Sequence, residues 1–342
     1  MNLTEVEEEF CAQSSNFSCF ERRLASLTAV DVLMYSAAAA VVLLTVCGNL
    51  LVIISICHFK QLHTPTNLLL LSLAVADLLV GITVMPFHFI MLIESHWCFG
   101  AVYCTIYTVA TFCLTCVSIY NVACIAVDRY FALRNPFLYS TKMTVNVTSM
   151  IISFLWLYSI TYNLVFLYFN ENITDLAENT KCAGECHVNI NYKWAFVDFI
   201  LIFIVPCLTI IIMYLKIFAI AKKHANNIRC VREQQHSKEM RKTNYSVASE
   251  RKAAKTLGIL VAVFLLCLIP YYISVFILVH TMTQSVYLAA VQMLSLLFLN
   301  SSINPIIYAL FYSWFQKCVK LILTFRICSS ESSLMNVLSK DA

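Results

Sequence analysis

A chain of 342 residues that is 60% hydrophobic and 12% charged, with 23 Lys and Arg against 19 Asp and Glu, carries about half the charge of an ordinary soluble domain. Its mean hydropathy of +0.77 excludes a soluble globular fold. The net charge of +4 sits in loops on one side of the apolar stretches, which makes it a topology signature and excludes a nucleic-acid partner.

Stretches long enough to cross a bilayer recur at 30–57, 65–93, 101–127, 145–169, 195–221, 255–279 and 286–311. A backbone surrounded by lipid can satisfy its own polar groups in such segments only as a helix. The expected fold is an all-α membrane protein: an outer segment over 1–29, a seven-transmembrane helix bundle over 30–311, a short amphipathic helix over 312–328 and a cytoplasmic tail over 329–342. The chain lacks a basic region followed by a short apolar core at its start, so the first span is expected to act as the targeting signal.

The N-terminal segment holds Glu5, Glu7, Glu8 and Glu9, the cysteines Cys11 and Cys19, and glycosylation sequons at Asn2 and Asn16. A third sequon at Asn172 lies in the acidic loop after span four, so all three fall on one side. Lys60, Arg134, Lys142 and the run from Lys222 to Lys252 fall on the other side. The positive-inside rule therefore puts the N-terminus outside the cell. Span one contains Asn49 and span two contains Asp77, a carboxylate at membrane depth that is costly unless it faces a polar interior.

Span three begins near Cys104 and ends at Asp128-Arg129-Tyr130. At ~1.5 Å per residue, that separation is roughly 36 Å against a ~30 Å hydrocarbon core, so the cysteine and the triplet emerge on opposite faces. Span four holds Trp156, span five Pro206 and Tyr214, span six Pro270, and span seven Asn304, Pro305 and Tyr308. Beyond it, Lys317 and Lys320 alternate with apolar residues as in a helix lying on a membrane surface. Cys328 follows as a lipidation candidate. Six cysteines lie on the outer side, Cys11, Cys19, Cys98, Cys104, Cys182 and Cys186, and their spacing does not choose among about 15 pairings.

In this order on seven spans, these features resemble the rhodopsin-like class of G-protein-coupled receptors. The string from Asn300 to Phe315, NSSINPIIYALFYSWF, resembles the fingerprint of trace amine-associated receptors, and so does the Cys182-Ala-Gly-Glu-Cys186 loop. The resemblance implies a Cys104–Cys186 disulfide and a second bridge from Cys182 to Cys11 or Cys19. It implies that Arg129 pairs with Asp128 and, in the resting state, with Glu250, and that Tyr130, Tyr214, Asn304, Pro305 and Tyr308 take part in the switch. Asp77, Ser118, Asn300, Ser301 and Asn304 match positions that hold an allosteric sodium ion, a hard cation suited to oxygen ligands; no other cofactor is expected. The implied partners are a small amine, a stimulatory or olfactory heterotrimeric G protein, membrane lipid, arrestin and receptor kinases. The implied site is the plasma membrane of a sensory neuron.

Three positions depart from the family pattern. Thr111 replaces the aspartate eighteen residues before Arg129, Phe298 replaces the accompanying tyrosine, and Leu268 replaces the tryptophan before Pro270. Asp198, eight residues before Pro206, is the expected substitute counter-charge, unless Lys193 or Arg22 engages it in a structural ion pair. The expected ligand site is Asp198, Tyr107, Thr111, Tyr271, Tyr272 and Phe298. Diamines or polyamines are favoured, with Glu94 or the acidic outer loop near a second ammonium. The alternative is a receptor of the same fold for a non-amine ligand, because Thr111 is neutral. No nucleophile, base and orienter set is present, and His88, His96, His187 and His280 have no ligand spacing, so no enzymatic activity is expected. A transporter or channel ranks last, since the chain has no inverted repeat.

Overall fold

The computed structural model describes residues 28–94, 97, 99–170, 186, 188, 191–234, 240–281, 283–328 and 332–338, with side chains omitted for 224–234, 240–257, 284 and 328. The seven expected spans are seven helices long and apolar enough to cross a membrane. They are α1 (Ala29–His58), α2 (Pro65–Thr83 continued by Met85–Glu94), α3 (Gly100–Arg134), α4 (Val145–Phe169), α5 (Tyr192–Asp198, Phe199–Ile204 and Val205–Gln234), α6 (Met240–Thr281) and α7 (Gln284–Phe311). An amphipathic α8 (Ser313–Leu323) follows an extended Tyr312 and buries Trp314, Phe315 and Cys318. Apolar side chains such as Phe154, Leu157 and Phe218 point outward, as they do in a protein whose solvent is lipid.

Short polar signals set the helix starts. Thr28 Oγ1 accepts from Asp31 N at 3.2 Å, and Asp31 accepts in return from Thr28 N at 3.1 Å, a reciprocal cap on two otherwise orphaned donors. Thr64 and Thr144 cap α2 and α4 by accepting from Asn67 N and Val147 N, without a return bond, and Pro65 occupies the first turn of α2, where its missing N–H costs nothing. The break in α2 at Val84 comes just before Pro86, which cannot donate to the preceding turn.

Close approach of α1 and α7 depends on Gly48, because a Cβ there would lie 2.8 Å from Pro305 Cβ. The sharpest irregularity is in α5, where Phe199–Ile204 winds as a π-helix. Pro206 has no N–H for the carbonyl five residues back, Leu201 O. Tyr120 on α3 donates to that oxygen instead, at 2.9 Å. The wider turn rotates everything above it, including Asp198, by roughly one residue, or about 100°, relative to a straight helix.

α3 is the most deeply buried span, followed closely by α2, and the other five are largely turned to lipid. Residues Ser332–Leu334 form a 3-10 turn that packs on the α1–α2 connection. There, Ser332 Oγ lies 2.9 Å from His58 Nε2, and Val337 N donates to Gln61 Oε1 at 3.3 Å. Residues 329–342 were expected only as a cytoplasmic tail, and nothing in their pattern pointed to docking.

Candidate ligand cavity and polar coupling core

At the Cys104 end of the bundle, a cavity of about 330 Å³ opens between α3, α4, α5 and α6. Thr111, Phe112 and Thr115 line it from α3, Asn163 and Phe166 from α4, and Tyr271, Tyr272 and Phe276 from α6. Aromatic faces dominate: Phe203 stacks on Tyr272 with centroids 4.7 Å apart, and Phe199 meets Phe276 at 4.9 Å. A small apolar chamber with few polar groups suits a small organic ligand. The Cys104–Cys186 disulfide, with Cα atoms 5.6 Å apart, ties the loop after α4 to the start of α3.

Asp198 is the one acidic side chain among the described residues lining this cavity. Tyr162 on α4 donates to its Oδ1 at 3.3 Å. No described Lys or Arg forms an ion pair with it, so the alternative of a bridge to Lys193 is not formed, and Arg22 lies outside the described residues. The sequence reading missed Tyr162, although its signal was present. Phe154, Tyr158, Tyr162 and Phe166 recur every four residues, and their rings stack in series at 6.3, 5.9 and 6.3 Å, as same-face helical neighbours do.

Thr111, Tyr271 and Tyr272 line the cavity as expected, and the Thr111 hydroxyl is buried without a hydrogen-bond partner. Tyr107 and Phe298 do not line it. They belong to a separate cluster with Trp97, closed by the fully buried His88. His88 Nδ1 lies 3.0 Å from Tyr107 OH and its Nε2 2.9 Å from Ser295 Oγ, with Phe298 edge-on at 4.9 Å. These side chains fill the space between α2, α3 and α7. Glu94, placed near a second ammonium by the sequence reading, is hydrogen-bonded to Tyr35 and is absent from the lining.

Below the cavity lies a polar core. Ser301 and Asn304 donate to the two oxygens of the fully buried Asp77, at 2.8 and 2.7 Å. Asn49 donates to Ser301 O at 3.0 Å. A void of about 20 Å³ lined by Ser118, Asn300 and Ser301 has room for one water-sized species. Ser118 Oγ and Asn300 Oδ1 are buried there without partners. Those two orphaned neutral oxygens suit a hard cation, whereas Asp77, both of whose oxygens accept from Ser301 and Asn304, does not itself line the void.

At the opposite end, Arg129 Nη2 donates to Asp128 Oδ2 at 2.7 Å. Thr66 on α2 donates to the same oxygen at 2.7 Å, and Tyr139 donates to Oδ1 at 2.6 Å. Burial, and then the bond to Asp128, raises the Tyr139 phenol above its ordinary range, so it stays protonated as a donor. Tyr130 is buried, with Lys216 and Arg134 over its ring at 5.5 and 5.6 Å. The hydroxyls of Tyr214 and Tyr308 are buried without partners, and Pro305 lies inside α7. Glu250 falls within α6, but its side chain lies outside the described residues. So do the Cys328 side chain and all of Cys11, Cys19, Cys98, Cys182, Asn2, Asn16 and Asn172.

Residues 48–308 match the family described as 7 transmembrane receptor (rhodopsin family). Trace amine-associated receptor 7e of Mus musculus is 40% identical over 335 residues, covering 96% of this chain and 92% of that receptor. Trace amine-associated receptor 7a of Rattus norvegicus is 40% identical, covering 98% and 94%. Trace amine-associated receptor 9 of Mus musculus is 38% identical, covering 98% and 96%.

Proposed function

The chain belongs to the trace amine-associated receptors within the rhodopsin-like seven-transmembrane family, and from that membership we propose that it senses amines through Asp198 and signals through a stimulatory G protein to cAMP. It is a multi-pass membrane receptor and not an enzyme. The observation that carries the amine reading is the one carboxylate that the described residues place in the lining of an aromatic cavity. An ammonium entering that chamber loses its hydration, and aromatic faces return only ~0.5 to 2 kcal/mol. A charge-assisted hydrogen bond to Asp198 supplies the rest.

In this reading the N-terminus and the Cys104 end face outward at a sensory-neuron plasma membrane, and the Arg129 end faces the G protein, arrestin and receptor kinases. Asp77, Ser118, Asn300, Ser301 and Asn304 hold sodium, and Arg129 is released from Asp128, and from Glu250, on activation. A second reading rests on Thr111, whose neutral hydroxyl at the cavity wall suits a non-amine ligand.

An amine dose-response series read as cAMP in transfected cells separates the two. Asp198→Asn keeps shape and removes charge, so it should weaken amine agonists at least ~tenfold, roughly 1.4 kcal/mol. Thr111→Ala should matter much less. Unchanged amine potency in Asp198→Asn at equal surface expression would move the non-amine reading to first place.

A further inference from the structure

Resting on Asp198 as the amine anchor, we propose that the cavity takes a zwitterionic ligand, an ω-amino acid whose ammonium meets Asp198 and whose carboxylate meets Lys193 at the mouth. Lys193 lines the same cavity as Asp198. Lys193 stands five residues before Asp198 on the first segment of α5, roughly 7.5 Å higher along the axis. Its backbone N–H is held by the Asn191 side chain at 3.1 Å. Its ammonium lies 6.0 Å from the centroid of the Tyr192 ring, a ring that also lines the cavity. His280 comes from the last turn of α6, on the other side of the opening. Its Nδ1 donates to Phe276 O at 2.8 Å, so the ring helps to wall the opening and the carboxylate partner there is Lys193.

One acid and one lysine thus line a single chamber among the described residues without pairing with each other. Asp198 has no opposite charge beside it, and the exposed Lys193 stands at a different height, open to one. A ligand with separated ammonium and carboxylate answers both. An α-amino acid carries its charges too close together to reach both heights, whereas a chain of several methylenes spans the gap and packs on the aromatic walls. A second ammonium at the mouth would face Lys193, and like charges at that range repel, so the same geometry disfavours α,ω-diamines that extend toward the opening. Glu94 offers them no alternative there, being bonded to Tyr35 away from the lining.

The test uses the full-length receptor in cells, with pentylamine, the pentane α,ω-diamine, ω-aminopentanoate and ω-aminohexanoate as probes and cAMP as readout. The expected order places the ω-amino acids above the monoamine and the diamine last. Lys193→Gln should weaken the ω-amino acids about fivefold, the upper range for a solvent-accessible ion pair, and leave pentylamine unchanged. Lys193→Glu should weaken them further and improve the diamine. Asp198→Asn should weaken every class, and the pentylamine response of the Lys193 variants certifies their folding. If pentylamine acts through Asp198 while the ω-amino acids are inert, or are unmoved by Lys193→Gln, the zwitterion proposal fails and the amine reading stands. If no probe depends on Asp198, the amine reading itself fails.

Discussion

Phe298 was expected in the ligand site from its distance before Pro305, and Tyr107 as a further aromatic side chain of that pocket. Sequence spacing fixes which face of a helix a residue occupies, but not what has already filled the space in front of it. Here His88 fills it, engaging Tyr107 and Ser295 through its two ring nitrogens and meeting Phe298 edge-on. The sequence showed His88 only as a histidine without metal-ligand spacing, and a buried two-sided hydrogen bond across three helices leaves no local signature. Thr111, Tyr271, Tyr272 and Asp198 needed no such arbitration and do line the cavity. Tyr107→Phe tests the difference. Removing the hydroxyl orphans His88 Nδ1, which should cost about 1 to 3 kcal/mol of stability, visible as a lower midpoint in a thermal-shift assay of the solubilised receptor. Amine potency should change by less than about twofold, because substitutions remote from a contact are usually worth within ~0.5 kcal/mol. A tenfold loss of potency would return Tyr107 to the ligand site.

Whole helices were more legible than single contacts. The span read at 145–169 is α4 to the residue, since a continuous apolar run in lipid has only one backbone solution. The end of α5 and the start of α6 ran longer than hydropathy suggested, because helices project beyond the hydrocarbon and the signal stops at its edge. The π-helical turn was invisible for a different reason: an apolar window carries no record of hydrogen-bond register. Pro206 was its one trace, and a proline also fits an ordinary kink. What makes the turn definite is the Tyr120 hydroxyl on Leu201 O. Tyr120→Phe should therefore loosen the rotation that aims Asp198, at roughly 0.6 to 1.5 kcal/mol for an interhelical hydrogen bond in lipid. Amine potency should fall about threefold although Tyr120 does not line the cavity. A dose-response curve matching the wild type at equal surface expression would show that Pro206 alone holds the turn.

At the scale of the molecule, α3 connects the two ends. It carries Thr111 and Thr115 at the ligand cavity, Ser118 at the polar void and Asp128-Arg129 at the far end. Thr115 lines both cavities, so the ligand chamber and the Asp77 core share a wall. The Asp128-Arg129 pair could be read from the triplet. Its two further donors, Thr66 and Tyr139, could not, since they come from α2 and from the short Pro136–Lys142 helix, and their convergence is tertiary. Together these bonds hold Arg129 back against its own helix. The Asp128 side chain is only 1% exposed, whereas that of Arg129 is 28% exposed, so the pair is partly screened and worth about 1 kcal/mol. Asp128→Asn keeps the size of the side chain and removes its charge. The arrangement with Arg129 turned toward Asp128 loses that increment, while one with Arg129 turned outward to a G protein loses nothing, so the population shifts outward. Basal cAMP at matched surface expression should rise up to about fivefold, the factor that ~1 kcal/mol sets. Basal cAMP equal to or below the wild type would mean that Thr66 and Tyr139 position Asp128 for stability alone, and that Arg129 is restrained elsewhere, with Glu250 the next residue to substitute.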